Sequence, residues 1–151
     1  MKKLLLVFGL VVGSLALTFG QGTELGARFG AVRGGAGVAF DAVLSMGQFN
    51  RLHADVGIDF DQGGLYVEVL DDFLYRPLGG EAFYWYVGAG VGLGVFDDFI
   101  LAVPFEIGLE YKFNTVPLIL GIDYRPELQL TPDFDFNGNS IGLNVRYRLG
   151  G

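Results

Sequence analysis

Apolar and polar positions alternate with a period of two along most of the chain. The clearest run has Phe99, Leu101, Val103, Phe105, Ile107, Leu109, Tyr111 and Phe113 on one face, and Ala102, Glu106, Gly108, Glu110 and Lys112 on the other. This is the period of extended backbone, whose successive side chains point to opposite sides. The next run sets Val116, Leu118, Leu120, Ile122 and Tyr124 against Gly121, Asp123, Arg125, Glu127 and Gln129. The last sets Ile141, Leu143, Val145, Tyr147 and Leu149 against Gly142, Asn144, Arg146 and Arg148. The third run in chain order opposes Leu52, Ala54, Val56, Ile58 and Phe60 to Arg51, His53, Asp55, Gly57, Asp59 and Asp61.

Weaker runs complete the set. Leu25, Ala27 and Phe29 oppose Glu24, Gly26, Arg28 and Gly30; Val38, Phe40, Ala42 and Leu44 oppose Asp41; Leu65, Val67 and Val69 oppose Tyr66 and Glu68. In that last run Asp71 falls on the apolar face, which marks a membrane boundary or a bulge. Pro104 predicts a second bulge, because proline cannot donate to a ladder. From Phe83 to Val95, glycines at 88, 90, 92 and 94 alternate with apolar residues. The eight stretches have roughly the ten-residue length of a membrane-spanning strand. Turn signals separate them at 33–35, 45–50, 61–64, 76–81, 97–98, 114–115 and 131–139. Short connections make successive strands antiparallel neighbours, and closure into a barrel leaves no edge unpaired.

Such a barrel can face either way. A soluble lipocalin-like barrel turns the apolar face inward, whereas an outer-membrane barrel turns it to lipid and the charges to the lumen. Three features predict the second. The strip of Gly88, Gly90, Gly92 and Gly94 suits a narrow lumen that has room for only some large side chains. Aromatic residues near the strand ends form two girdles: Phe73, Tyr75, Phe83, Trp85, Tyr111, Phe113 and Tyr147 at one rim, and Phe29, Phe60 and Phe99 at the other. Both signs of charge share the opposite face, as a luminal network of Glu24, Arg28, Arg51, His53, Asp55, Asp59, Glu68, Glu106, Glu110, Lys112, Asp123, Arg125, Glu127, Arg146 and Arg148. Buried charges need such pairing.

Residues 1–20 predict a cleavable secretory signal peptide, with Lys2 and Lys3 before an apolar stretch from Leu4 to Leu17, and small Thr18 and Gly20 before the cut. Residues 21–151 then form the barrel domain. Without Lys2 and Lys3 the chain carries 8 basic against 17 acidic residues, a formal charge of −9, which argues against nucleic acid as a partner. Half of the residues are hydrophobic (51 %), yet no later segment has the unbroken apolar run of a membrane helix. There is no cysteine, hence no disulfide, thiol nucleophile or lipidated cysteine.

Candidate chemistry is sparse. The glycine strip is neither G-x-G-x-x-G nor a loop ending in GK, so it predicts no nucleotide site. His53 is the single histidine, two residues from Asp55, but Ser45 and Ser140 fall at opposite ends of the barrel, so no triad forms and no enzyme is expected. Asp133, Asp135 and Asn137 before Gly138 match the first half of a calcium loop, although Asn144 stands where that loop has its glutamate. The alternative is an acidic exposed loop. Calcium is the one cofactor candidate, and Asp61, Asp97, Asp98, Asp133 and Asp135 form an outward acidic set for divalent cations.

From about Gly22 to Leu149 the pattern resembles the small eight-stranded outer-membrane β-barrel family, which includes the transmembrane domain of outer-membrane protein A. The resemblance implies a Gram-negative-type outer membrane, contact with its lipids, and insertion by the barrel-assembly machinery. Members commonly end the last strand in an aromatic residue; this chain ends in Leu149, Gly150 and Gly151, with Tyr147 as the nearest substitute. The expectation is therefore an all-β, antiparallel up-and-down eight-stranded transmembrane β-barrel with a structural or envelope-organising role. The rivals are a narrow, porin-like pore for small solutes and a soluble lipocalin-like lipid-binding barrel.

Overall fold

A computed structural model describes residues 22–150; the signal-peptide reading of residues 1–20 lies outside them. The alternating runs form strands in chain order: β1 (Thr23–Val32), β2 (Gly35–Ser45), β3 (Arg51–Asp59), β4 (Gly64–Gly79), β5 (Phe83–Val95), β6 (Phe99–Lys112), β7 (Leu118–Tyr124), β8 (Glu127–Thr131), β9 (Asp135–Asn137) and β10 (Ile141–Leu149). Consecutive strands from β1 to β7 pair antiparallel, and β10 pairs with both β7 and β1. Thr23 opposite Leu149 and Gly30 opposite Gly142 close the sheet on itself.

Ten segments make eight staves. β7 and β8 both pair with β6, and the register of Gly108 opposite Asp123 continues at Pro104 opposite Glu127, so they are halves of one stave interrupted at Arg125 and Pro126; it steps by one residue only between Ala102–Gln129 and Leu101–Thr131. The Phe105 N–H donates to the Pro126 carbonyl across the interruption (2.9 Å). β9 and β10 are likewise halves of the eighth stave, paired with β8 and β7 and separated by residues 138–140. The protein is thus an all-β, closed, antiparallel eight-stranded barrel.

Of the two irregularities marked in the sequence, at Asp71 and at Pro104, one is a bulge and the other is not. Pro104 makes no bulge against β5: Ala89 opposite Phe105 and Gly92 opposite Ala102 keep the same register on both sides of it. Its missing N–H opens a gap in the ladder without adding a residue. The bulge lies in β4, where the pairing steps from Asp71–Ala89 to Leu74–Val87 and two residues, Asp72 and Phe73, oppose Gly88. An inserted residue flips the alternation of everything beyond it. Tyr75, expected in the outer girdle, therefore turns inward opposite the buried Tyr86.

The two faces are sharply divided. Outward-facing Phe29, Val67, Val91, Leu93, Phe105, Ile107, Ile122, Leu143 and Val145 are exposed, while Arg51, His53, Glu106, Glu110 and Arg146 are almost completely buried. A few apolar side chains, among them Val43, Leu70 and Ile119, fill the interior between the charges.

Candidate functional site

The candidate site is the lumen itself, and its geometry begins with glycine. A Cβ at Gly92 would strike the Tyr66 hydroxyl, one at Gly108 the Tyr86 ring, and one at Gly142 the Arg28 guanidinium. One at Gly88 would meet Asp72 and Glu106, and one at Gly94 would meet Phe96 and Tyr66. Gly90 is confined instead by the backbone of Val69 and Leu70. The strip thus lies inside, and three of its four glycines provide the space into which large polar side chains reach.

Three arginines knit the middle of the barrel. Arg125, in the interruption between β7 and β8, reaches Asp55 on β3, Glu68 on β4 (2.5 Å), Glu106 on β6 (3.2 Å) and Asp123 on β7 (3.0 Å). Arg146 on β10 joins Glu24 on β1 (3.1 Å), Asp41 on β2 (3.2 Å) and Glu110 on β6 (2.5 Å). Arg51 on β3 joins Asp72 (2.6 Å) and Glu110 (2.9 Å) and lies over the Tyr75 and Tyr86 rings. Each ties together staves distant in sequence. Removing a buried charge from its partners costs far more than the pair contributes net, so the network specifies one arrangement of the staves.

Further pairs extend the cluster towards both mouths. Arg28 donates to Asp123 through Nε (2.9 Å) and Nη2 (2.7 Å), and the Asn144 amide donates to the same carboxylate (2.9 Å). Nearer the β1–β2 turn, Glu127 accepts from Arg33 (2.7 Å) and from the Tyr66 hydroxyl (2.7 Å). At the opposite end Lys112 bridges Glu24 (3.1 Å) and Glu110 (3.4 Å), and the Tyr75 hydroxyl donates to Glu110 (2.9 Å). A cavity of about 10 Å³ lies among Arg28, Asp55, Tyr66, Glu68 and Arg125, about the minimum for a single water.

Most of the expected network is brought together, with two exceptions. Asp59 is buried but serves its own turn, its Oδ1 accepting the N–H groups of Asp61 (2.8 Å) and Gln62 (2.9 Å). Arg148 is half-buried at the mouth, and among the described residues it has no ion-pair partner. Asp41 and Asp72 join the network; both share the parity of their inward-facing neighbours, Asp72 lying two residues beyond the buried Leu70 and just before the alternation changes phase. Arg33 was hidden in a turn signal. It occupies the left-handed region (φ 50°) beside Gly34 (φ 90°), as a tight hairpin turn requires.

His53 sits at the centre. Its Nε2 lies 2.6 Å from Asp41 Oδ1 and 3.1 Å from Arg125 Nη2, and its Nδ1 lies 3.2 Å from Glu106 Oε2. Asp55 is 3.9 Å from Nε2. Ser45 ends β2, its N–H bonded to the Gly22 carbonyl, while the Ser140 hydroxyl donates to the Ala31 carbonyl (3.4 Å). The half-match to a calcium loop spans β9 and the residues beside it. Asp135–Asn137 is strand β9, and the Asn137 side chain is engaged, donating to the Arg33 carbonyl (2.5 Å) and accepting the Asn139 N–H (3.1 Å). Asp61, Asp97, Asp98 and Asp135 line an open vestibule of about 720 Å³ whose wall includes Arg33.

Of the residues read as girdles, Tyr75 lies inside against Glu110 and Arg51, and others stand on the outer face. Phe60, Phe83, Phe99 and Tyr147 are exposed, and Tyr111 and Phe113 are half-buried against one another (4.8 Å between ring centres). Trp85 borders a shallow apolar groove of the outer wall with Ile107, Leu109, Ile122 and Ile141. These features define the class: a closed eight-stranded barrel, charged within and apolar without. No protein-family model matches the chain, and no curated protein or solved structure matches it either.

Proposed function

We propose that this chain is a small integral outer-membrane barrel whose filled lumen gives it a structural or envelope-organising role without catalysis. The observation that carries the reading is the inversion of the two faces, with large hydrophobic side chains outside and buried ion pairs inside. A soluble barrel that exposed this much continuous apolar wall would aggregate. Strand length fits as well: ten residues of β1 extend about 34 Å, and at the usual tilt they cover the apolar band of about 25 Å. Outer-membrane lipids are then the principal partner, and the assembly machinery the transient one.

The test is quenching of Trp85, the single tryptophan, by brominated lipid after reconstitution. Strong quenching is expected, because Trp85 borders the outer groove. A folded protein without quenching overturns the reading and favours the soluble lipid-binding barrel. The same vesicles fused to a planar bilayer are expected to stay silent, since ion pairs cross the lumen between opposed staves; discrete conductance steps would establish the porin-like alternative.

A further inference from the structure

The side of His53 that faces away from Asp41 collects acceptors and no donor. Asp41 is held as a carboxylate by Arg146 (3.2 Å) and can only accept, so its 2.6 Å contact assigns the ring proton to Nε2. Nδ1 then turns a lone pair towards Glu106 Oε2 at 3.2 Å and Asp72 Oδ2 at 4.0 Å. Nδ1, both oxygens of Glu106 and Asp72 Oδ1 are all buried without a hydrogen-bond partner. The neighbouring guanidiniums do not cure this. Arg51 is engaged with Asp72 Oδ2, and Arg125 Nε, 3.2 Å from Glu106 Oε2, makes no hydrogen bond to it.

Orphaned buried acceptors are expensive. A second proton on the ring would satisfy Nδ1 and one Glu106 oxygen, and Asp72 Oδ1 and the other Glu106 oxygen would then need a further proton shared between the two carboxyls. One metal cation would engage all three side chains. From this convergence the geometry points to a luminal first-row divalent metal site, of the zinc class, made by His53 Nδ1, Asp72 and Glu106. Their ligand atoms already lie within 4.8 Å of one another; metal bonds of about 2.0–2.2 Å require an approach of about 1 Å. An imidazole whose other N–H is held by a carboxylate, here Asp41, is the usual support for such a ligand. One imidazole with two carboxylates suits Zn²⁺ or Mn²⁺ better than calcium, which takes oxygen alone. The glycine at 88 leaves the facing wall free of any side chain that would crowd Asp72 and Glu106. The site is independent of what bathes the outer wall, and its ion enters as the barrel closes.

The test refolds the purified protein in detergent with EDTA or with Zn²⁺, removes free ion, and measures bound metal by mass spectrometry together with the thermal midpoint. About one zinc per chain and a raised midpoint are expected, with at least tenfold weaker retention in Glu106→Gln and full retention in Asp55→Asn, on the other side of the ring. A metal-free folded protein overturns the proposal. So does zinc that persists in both Glu106→Gln and His53→Gln, which would assign it to the acidic vestibule. Should those variants fail to fold, zinc-edge X-ray absorption of the wild type decides: one imidazole among oxygen ligands supports the site, and a shell without imidazole overturns it.

Discussion

Arg125 concentrates the energetics of the lumen in one side chain. It faces Asp55, Glu68, Glu106 and Asp123, and its removal leaves four buried carboxyls short of a cation. Arg125→Ala is expected to destabilise the barrel by about 3–5 kcal/mol, the cost of orphaning a buried charge, read from urea unfolding in detergent. Gly92→Leu tests packing. Its side chain would drive Tyr66 off Glu127, and the expected loss is about 1–3 kcal/mol, whereas Val91→Leu on the exposed outer face should shift stability by no more than about 0.5 kcal/mol. Arg33 is a third case: it combines a left-handed backbone with a bridge to Glu127.

At the scale of elements, the alternation of apolar and polar residues was enough to assign the inward and outward faces of β1, β2, β3, β6, β7 and β10. Period two is a purely local property, and no distant contact can override it where one face is apolar. What it concealed were changes of phase. In β4 the signal was present, since continuing the alternation puts Leu70 inside and Asp71 outside, but only pairing with β5 locates the extra residue at Asp72 and Phe73. That one step turned Tyr75 to the inner face, whereas Asp72, in phase with Glu68 and Leu70, was legible from the alternation alone. The interruptions near Pro126 and at residues 138–140 were equally non-local: the first separates the segments that meet the two halves of β6, and the second separates the segments that meet β8 and β7. β9 pairs with β8 over three residues, and the seam to the β1–β2 turn is made by side chains, Asn137 to the Arg33 carbonyl and Asn139 to the Gly34 carbonyl. Backbone held by so short a ladder opens easily. Amide hydrogen exchange should therefore be fastest in β8 and β9 and slowest in β3 to β5; uniform protection around the barrel would contradict this.

For the whole molecule, the ion pairs act as cross-struts and the outer wall as the surface that solvates it. Arg125 and Arg146 each connect three or more staves, so the barrel is expected to unfold as one unit, with fluorescence and circular dichroism transitions that coincide. The packing of the lumen has a further consequence for descent. Tyr66 fits where Gly92 has no side chain, Tyr86 fits over Gly108, and Arg28 over Gly142. Each large residue and the glycine across from it form one heritable unit, in which neither half is free to drift alone. Homologous chains should change such couples together, exchanging bulk from one wall to the other, while the outward-facing residues between them vary as independent letters.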